Sequence, residues 1–382
     1  MKNPARWILL AAALAGCSDQ VPTATPSARD AAGGPARSLS YTDADQDGID
    51  DGREADLIDQ YAPLLYMPNL IERAQAGSVT GDWTWPANVQ WYFPQVRMRM
   101  HHNSCPDHAV LDFGYVNTGS LISQQHRRFT LGWSGCSHQD PVQYSSGSWH
   151  PDDHFFLQAG TDDQVHPGIH SGAAGWIVYA HAYRNNIGGV SIQYWFFYPY
   201  NDYVSSANHE GDWEHVNVRL DAADQVNTVW YSQHDNLVAY APWQLTWYGT
   251  HPQVWVADGS HANYPSQATC DSQDMGPPNC WTNVSQRWFT WAGGRGYDAG
   301  LQGGGIVNVG ERFSPMAGQE WIRYSGRWGE VGNVDGTSGP RGPVYNKHNW
   351  WYTDQYVPPA PEPTDPPECE PTGPGQAIPD IC

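Results

Sequence analysis

The sequence predicts a mainly β protein: an antiparallel β-sandwich with long loops, preceded by a calcium loop and a short helix. Long stretches combine β-branched and aromatic residues and are bounded by Gly, Pro, Asn and Asp, as strands are. Helical periodicity is scarce after residue 75. No motif recurs at a period of about 40 to 50 residues, which argues against a propeller. The candidate strands are Trp176–Tyr183, Val190–Tyr198, Trp213–Leu220, Thr228–His234 and Gln253–Ala257.

The N-terminus has the features of an export signal. Lys2 and Arg6 form a basic region, an apolar run follows, and Leu14-Ala15-Gly16-Cys17 forms a small-residue cleavage site. These four residues resemble a bacterial lipobox, which implies a lipid on Cys17 and attachment to a membrane. An ordinary secretory signal is the alternative. A spanning helix is disfavoured because the apolar run is shorter than the roughly 20 residues needed.

Composition divides the chain into segments. Residues 18–40 are rich in Pro, Ala, Ser and Gly and cannot bury enough apolar surface to fold, so we expect a flexible spacer there. The predicted segments are 1–16 signal peptide, 17–40 lipidated flexible linker, 41–75 calcium-binding loop and helix, 76–357 β-sandwich core and 358–382 Pro-rich tail.

The charge balance excludes nucleic acid as a partner. The chain has 40 acidic and 19 basic residues, a formal net charge of −21, whereas nucleic acid requires a basic surface. From the lipobox we expect a location in the bacterial cell envelope, lipid-anchored at the outer membrane or cell surface, with the domain facing outside the cytoplasm. Its possible ligand is a glycan or a lipid headgroup.

Because we expect the chain to be exported, and because disulfides persist outside the cytosol, we expect its cysteines to form disulfides. Cys17 is assigned to the lipid and six cysteines remain. Six cysteines allow fifteen connectivities. The favoured pairs are close in sequence: Cys105–Cys136, Cys270–Cys280 and Cys369–Cys382. A zinc site at Cys105, His108, Cys136 and His138 is the alternative.

Residues 43–54 fit a calcium loop, with the pattern D-x-D-x-D-G and Glu at the twelfth position. Gly48 makes the sharp turn. We predict Ca²⁺ here, with a stabilising role; a solvated acidic linker is the alternative. The predicted ligands are Asp43, Asp45, Asp47, the carbonyl of Ile49, Asp51 through a water, and Glu54. A helix over Ala55–Leu65 follows, with Pro63 as a local irregularity.

A second polar constellation lies around the candidate strand Trp213–Leu220. Asp212 and Glu214 share the face of Val216 under the two-residue period of a strand, whereas His215 points to the other face and is expected to be structural. Two carboxylates so close repel each other unless a cation or a proton lies between them. His209 precedes the strand and can add an imidazole nitrogen.

Four sequence segments resemble the vacuolar protein sorting-associated protein 62 family, which includes bacterial proteins of unassigned activity. They lie in Val190–Leu220, Ser232-Gln233-His234, Gly259–Pro265 and Gly326–Gly329. The resemblance spans roughly residues 55–356. It implies a fold and a site, but no vacuolar sorting role.

A more distant similarity is to the necrosis- and ethylene-inducing peptide family, secreted β-sandwich cytolysins that bind sphingolipid headgroups. Its His-x-x-Asp-x-Glu motif, which holds a divalent metal, falls on His209, Asp212 and Glu214. Its upstream Asp falls on Asn201 or Asp202. The resemblance implies Mg²⁺ or Ca²⁺ at this core site.

Three functions follow as hypotheses. The first is a metal-assisted module, cytolysin-like, that binds a polar ligand. The second is a metal-dependent hydrolase in which Glu214, His234 or His261 acts as general base on a bound water. The third is a structural surface lipoprotein. No G-x-S-x-G nucleophile motif occurs, which disfavours an acyl-enzyme.

Overall fold

A computed structural model describes residues 41–67, 86–101, 107–124, 142–143, 149–150, 155–160, 176–202, 208–234, 236–273, 280, 286–291, 296–297, 305–332 and 337–346. They belong to one compact unit that begins at Tyr41. The predicted signal peptide, the lipidated linker with Cys17, and the Pro-rich tail lie outside the described residues.

The described residues are mainly β, which confirms the predicted class. The strands are β1 Leu64–Met67, β2 Val96–Met100, β3 His108–Leu111, β4 Val142–Gln143, β5 Trp149–His150, β6 Phe155–Ala159, β7 Ile177–Arg184, β8 Val190–Asn201, β9 His209–Leu220, β10 Val226–Gln233, β11 Asn236–Tyr240, β12 Trp247–Tyr248, β13 His251–Val256, β14 Asn263–Tyr264, β15 Gln286–Phe289, β16 Gly296–Tyr297, β17 Gly305–Asn308, β18 Gly310–Glu311 and β19 Ser314–Pro315. The α-helices are α1 Asp51–Gln60, α2 Val89–Tyr92, α3 Thr118–Gln124 and α4 Gln267–Gln273. Short 3₁₀ turns occupy Phe93–Gln95, Pro242–Gln244, Glu320–Arg323 and Pro343–Tyr345.

Two sheets pack face to face as a sandwich. The central sheet has the order β11-β10-β9-β8-β7-β17, and the second sheet has the order β12-β13-β1-β15-β16, with β14 beside β13. Their facing side chains form one apolar cluster, to which β9 contributes Val216 and Val218 and β13 contributes Val254. Most pairs are antiparallel, but β1 pairs with β13 and β17 pairs with β7 in parallel.

The central sheet is buried on both faces. Trp195, Phe197 and Trp213 point away from the sandwich interior into a second apolar cluster. Strands β2 and β6 of a smaller sheet contribute to this cluster. As a result, every residue of β8 is buried. The predicted alternation of β9 is observed, with Val216 on one face and Trp213 on the other.

The predicted helix Ala55–Leu65 is wrong at both ends. Helix α1 begins at Asp51 because the Asp50 carboxylate caps it, accepting hydrogen bonds from the amides of Gly52 (3.2 Å) and Arg53 (3.3 Å). It ends at Gln60, since Pro63 disfavours helical backbone in the preceding residue. Leu64 and Leu65 belong instead to β1.

One predicted disulfide is confirmed. Cys270 in α4 is bonded to Cys280. Both belong to a small apolar cluster with Ala257, Ala262 and Tyr264. Cys105, Cys136, Cys369 and Cys382 lie outside the described residues, as does His138 of the alternative zinc site. Among the helices described, none is long and apolar enough to cross a membrane.

Candidate functional site

Strand β9 changes face at Gly211. Glu210 lies opposite Tyr200 and Asp212 lies opposite Tyr198 on β8, yet Tyr198 packs in the sandwich interior and Tyr200 packs on the other side. Gly211 between the two acids has a φ of 65°, a left-handed conformation that favours glycine. The Glu210 carboxylate accordingly accepts a hydrogen bond from the Ala159 amide of β6 at 3.0 Å. Asp212 is therefore separated from Glu210 and turned toward the sandwich interior.

Asp212 forms a hydrogen bond with a histidine far away in sequence. Its Oδ2 lies 2.9 Å from His261 Nδ1, and the side chains are 11% and 3% exposed. The His261 ring also stacks on Tyr198, with centroids 3.8 Å apart. An ionised Asp212 places the imidazole proton on Nδ1, so the lone pair is on Nε2. In that state an imidazole can accept a proton or bind a metal.

The backbone that presents His261 is strained. His261 has a φ of 54°, and Gly259 before it has a φ of 81°. The turn is closed by hydrogen bonds from the Ala257 amide to the Ala262 carbonyl (2.9 Å) and from the His261 amide to the Ala257 carbonyl (3.2 Å). A left-handed non-glycine residue costs about 1–3 kcal/mol and persists only where its surroundings impose it. Such strain is concentrated at functional sites.

Glu214 is held by a serine. The Ser232 hydroxyl of β10 donates a short hydrogen bond to Glu214 Oε2. It accepts hydrogen bonds from the His215 amide at 2.9 Å and from Asn263 Nδ2 at 3.1 Å. Asn263 is fully buried and its Oδ1 makes no hydrogen bond. Ser232 and Asn263 thus join the predicted acid to the segment that carries His261.

The remaining predicted residues lie on or directly beside strands β8, β9 and β10. His209 is the first residue of β9 rather than part of a preceding loop, it pairs with Asn201, and its Nδ1 lies 2.8 Å from the Gly211 carbonyl. Asp202 accepts a hydrogen bond from Asn208 at 2.8 Å. His234 is exposed at the turn after β10. His215 points to the other face, as expected, and stacks on Trp195.

The three predicted ligands of the core metal do not converge. Within the described part of the chain, two groups of three acidic side chains bring ligand atoms within 4.8 Å of one another, and both lie in residues 43–54. His209, Asp212 and Glu214 form no such group. A Mg²⁺ or Ca²⁺ ion at the core site stays a prediction.

The loop of residues 43–54 has the turn that its sequence predicts. Gly48 has a φ of 82°, its amide donates to Asp43 at 3.1 Å, and the Ile49 amide donates to Asp47 at 2.6 Å. Ile49 is fully buried. The two converging groups share Asp45: one is Asp43, Asp45 and Asp51, and the other is Asp45, Asp47 and Glu54. These acidic clusters can bind a metal ion.

Several oxygens in this loop are buried and make no hydrogen bond. Asp45 and Glu54 are each 1% exposed. Neither carboxylate oxygen of Asp45 has a hydrogen-bond partner, and neither has Oε1 of Glu54, Oδ1 of Asp43 or Oδ2 of Asp47. Unpartnered buried carboxylates are unstable by themselves because ionised groups lose their hydration. The donor set of clustered carboxylate oxygens fits a hard divalent cation.

Burial also shifts the proton equilibria of the loop. Burial, together with the charges of Asp45 and Asp47, raises the pKa of Glu54 to about 9. Burial and the neighbouring acids raise the pKa of Asp47 to about 6, and burial raises the pKa of Asp45. Without a cation, Glu54 therefore retains at neutral pH a proton that a free carboxyl has lost.

Comparison with known proteins finds weak structural similarities. No protein-family model matches the chain, and no curated protein matches it. Necrosis and Ethylene inducing Protein 2, from the causal agent of cocoa's witches' broom disease, is 20% identical over 28% of this chain and 49% of its own, with a TM-score of 0.21. NLPPya in complex with glucosamine is 15% identical over 44% and 61%, at 0.25. The non-toxic protein HaNLP3 is 15% identical over 46% and 65%, at 0.26.

These matches span less than two thirds of each neighbour's length, and their TM-scores are too low to support an argument about fold or function. The resemblance to the vacuolar protein sorting-associated protein 62 family stays a prediction.

Sequence reasoning missed three residues of the network: Tyr198, Ser232 and Asn263. Ser232 and Asn263 lie within segments that support the family resemblance, each two residues from a histidine that was singled out. A polar residue two positions from a predicted site histidine was therefore the available signal. Nothing in the sequence marks Tyr198 among the many aromatic residues of β8.

Proposed function

We propose that this chain is an exported protein, anchored by a lipid on Cys17 to a membrane of the bacterial envelope, that binds a polar ligand at His261 and Asp212. The ligand class is a glycan or a lipid headgroup. The observation that carries the proposal is the buried hydrogen bond of 2.9 Å between Asp212 and His261. A strained backbone persists only where the surrounding structure imposes it, and such strain is concentrated at functional sites. A buried ionisable pair on such a backbone therefore indicates a candidate functional site.

The chemistry of the network suits a ligand that carries several hydroxyl or phosphate oxygens. Asp212 and Glu214 are acceptors when ionised, and the ring nitrogens of His261 supply a donor and an acceptor. The buried Asn263 Oδ1 is a further acceptor. Sugar hydroxyls both donate and accept hydrogen bonds, so they match a mixed set. Binding of a headgroup would bring the lipid-anchored domain onto a target membrane, with cytolysin-like damage as the consequence.

The loop 43–54 holds a divalent cation in this proposal, and Ca²⁺ is the ion of choice. Ca²⁺ accepts six to eight oxygens in flexible geometry, whereas Mg²⁺ demands near-ideal octahedral geometry and retains waters. A carboxylate-rich loop with several buried unpartnered oxygens matches the first requirement. The expected ligands remain Asp43, Asp45, Asp47, Asp51, Glu54 and the Ile49 carbonyl. When bound, the ion neutralises the loop and contributes to folding stability.

A second candidate function, a hydrolase, is favoured by the same Asp212–His261 hydrogen bond. A carboxylate that orients an imidazole through Nδ1 prepares Nε2 as a general base for a water. His261 fits this role better than His234, which is exposed at a turn. Glu214 is engaged by Ser232, so its proposed role as base requires that hydrogen bond to open.

Substitution of Asp212 by Asn tests the ligand site. We expect wild-type protein to bind vesicles of phosphatidylglycerol and phosphatidylethanolamine that contain a glycolipid and to release trapped calcein. Asp212→Asn, which removes the charge that orients His261, should weaken binding by about tenfold or more, since charge-assisted hydrogen bonds are worth about 1.5–3 kcal/mol. The control is His251→Gln, which alters a partly buried histidine that stacks on Trp291 instead. Circular dichroism checks that each variant folds.

The outcomes separate the alternatives. Equal binding and leakage by wild type and Asp212→Asn would refute a ligand site at Asp212. Hydrolysis of bis(p-nitrophenyl) phosphate or p-nitrophenyl acetate that is lost in Asp212→Asn, without vesicle binding, would favour the hydrolase. Absence of all these activities would leave the structural lipoprotein.

Replacement of Cys17 tests the lipid anchor. Full-length wild type expressed in a bacterium should incorporate labelled palmitate and sediment with membranes. Cys17→Ala should lose both properties because it lacks the thiol that would be acylated. Ser18→Ala, which leaves that thiol in place, is the control. If Cys17→Ala still sediments with membranes and carries label, another residue or segment anchors the protein.

A further inference from the structure

The loop 43–54 contacts an edge of the central sheet where the last strand is short and parallel. Arg184, at the end of β7, donates a hydrogen bond from Nε to the Gly48 carbonyl at 2.8 Å, and its Nη2 donates to the same oxygen. Asn308, the last residue of β17, donates from Nδ2 to Glu54 Oε2 at 2.8 Å. The loop is thus attached to two neighbouring strands, β7 and β17.

The segment that follows β17 encloses the buried acids of the loop. Gly310 has a φ of 69°, and a Cβ placed on it would lie 2.9 Å from the Cβ of Asp45. The Gly310 amide donates to Asn308 Oδ1 at 2.9 Å, so the Asn308 side chain joins Glu54 to this turn. Glu311 forms an ion pair with His181 of β7, with 2.9 Å between Oε1 and Nε2. Residues 308–311 therefore lie directly against Asp45, whose carboxylate oxygens make no hydrogen bond.

We infer that the cation site of the loop extends to residues 308–311, where Asn308 is a positioning residue that orients Glu54, and that the bound ion holds strand β17 on the central sheet. This inference rests on the proposed cation in the loop. It adds a residue outside the sequence motif and a task for the ion beyond the loop itself.

Strand β17 has only a short pairing with the central sheet, so a bound ion can add to its stability. It pairs with β7 over Gly305 to Asn308 only, at the edge of the sheet, and parallel pairing is slightly weaker per residue than antiparallel pairing. An edge strand of four residues adds little stability by itself. Beyond this pairing, the Val309 amide donates one further hydrogen bond to β7, at the Ala180 carbonyl, and the Met316 amide donates to the Val309 carbonyl, both at 2.9 Å.

The Asn308 amide is suited to orient a ligand carboxylate. Its Nδ2 donates to Oε2 of Glu54, while Oε1 makes no hydrogen bond, and Glu54 belongs to the converging group with Asp45 and Asp47. A hydrogen bond from outside the coordination sphere fixes a carboxylate in position, and loss of such a partner typically weakens metal binding by about 10–100-fold. Without the ion, the closely spaced carboxyls of Asp45, Asp47 and Glu54 have no shared cation to hold them together.

Hydrogen exchange on the full chain tests the inference, with Ca²⁺ alone as the probe. In wild type, 1 mM Ca²⁺ should slow amide exchange in residues 305–311 by at least tenfold. Asn308→Ala should bind Ca²⁺ about tenfold or more weakly by calorimetry, and saturating Ca²⁺ should no longer protect residues 305–311. The matched control is Asn227→Ala, because Asn227 lies in β10 and its side chain accepts a hydrogen bond from Thr228 at 2.8 Å.

The results distinguish this inference from the proposal on which it rests. If calorimetry detects no Ca²⁺ binding to wild type at millimolar concentration, the cation proposal fails and the inference fails with it. If Ca²⁺ binds but exchange in residues 305–311 is unchanged, the loop holds an ion that does not fasten β17. If Asn308→Ala binds Ca²⁺ as tightly as wild type, Asn308 is not a positioning residue.

Discussion

Chelation of divalent cations with EDTA is expected to lower the unfolding temperature of this protein, and added Ca²⁺ is expected to restore it. The physical reason is that a cation bound only to the folded state stabilises it by about 2.7 kcal/mol when the free ion is 100 times its dissociation constant. For a domain of this size, that corresponds to a shift of about 4 °C. Differential scanning calorimetry in EDTA and in 1 mM Ca²⁺ measures the shift.

Asp45→Asn is expected to affect the unfolding temperature differently in EDTA and in Ca²⁺. Asp45 is 1% exposed and its carboxylate makes no hydrogen bond, so its charge is unfavourable without a cation and required with one. We expect Asp45→Asn to be at least as stable as wild type in EDTA, yet to gain little from Ca²⁺. Asp56→Asn, which changes an exposed acid in α1, should respond to Ca²⁺ as wild type does. A Ca²⁺ shift in Asp45→Asn equal to that of wild type would contradict the proposed site.

The pH dependence of the cation-free protein follows from Glu54. Burial and the charges of Asp45 and Asp47 raise its pKa to about 9, whereas an unfolded chain has a Glu pKa of about 4.3. Glu54 therefore binds more protons in the folded state between these values, so its contribution to stability is fully present below about pH 4.3 and is lost as pH rises to about 9. Ca²⁺ displaces the proton, and its stabilisation should grow over the same range. A cation-free stability that rises between pH 5 and pH 9 would contradict this account.

Gly211→Ala is expected to cause the largest loss of stability among the site variants, about 3 to 5 kcal/mol, from left-handed backbone strain and steric overlap together. Gly211 has a φ of 65°. A Cβ on it would lie 2.1 Å from the Trp328 carbonyl oxygen, and that oxygen already accepts a hydrogen bond from the buried Tyr92 hydroxyl at 2.8 Å. The backbone of Trp328 cannot withdraw without disrupting the second apolar cluster. Urea unfolding measures the change.

Gly249→Ala is the matched control for that substitution. Gly249 has a similar φ of 62°, but a Cβ on it would meet nothing within 4 Å. Its replacement should therefore cost only the backbone term, about 1–2 kcal/mol. If the two substitutions cost the same, the contact with Trp328 does not determine the need for glycine at position 211.

The elements that the sequence predicted well depend on local rules. The alternation of β9 predicts which side chains face the sandwich interior, and Val216 and Trp213 lie on the predicted faces. The spacing of acids and glycine in residues 43–54 likewise predicts a turn, and Gly48 has the left-handed backbone that the turn requires. In both cases the physical cause acts within a few residues, so it can be read from the sequence.

Features created by distant contacts could not be predicted. The two-residue period places Glu210 and Asp212 on one face, but the approach of Trp328 to Gly211 reverses the strand there. The partner of Asp212, His261, is 49 residues away, and no spacing rule connects them. The motif grouped His209 and Glu214 with Asp212. In the structure, Asp212 instead forms a hydrogen bond with His261, which lies in a turn. Leu64 and Leu65 were assigned to a helix by periodicity, although β13 and β15 provide strand partners for them.

The disulfide between Cys270 and Cys280 makes the His261 segment dependent on where the chain folds. The bond lies in the small apolar cluster with Ala257 and Ala262, the two residues whose backbone hydrogen bond closes the turn around His261. A loop of this length contributes about 2–4 kcal/mol when oxidised. Under reducing conditions the turn that carries His261 loses that stabilisation, although the residues of the Asp212 network are unchanged. Full support of the site is thereby tied to an oxidising environment.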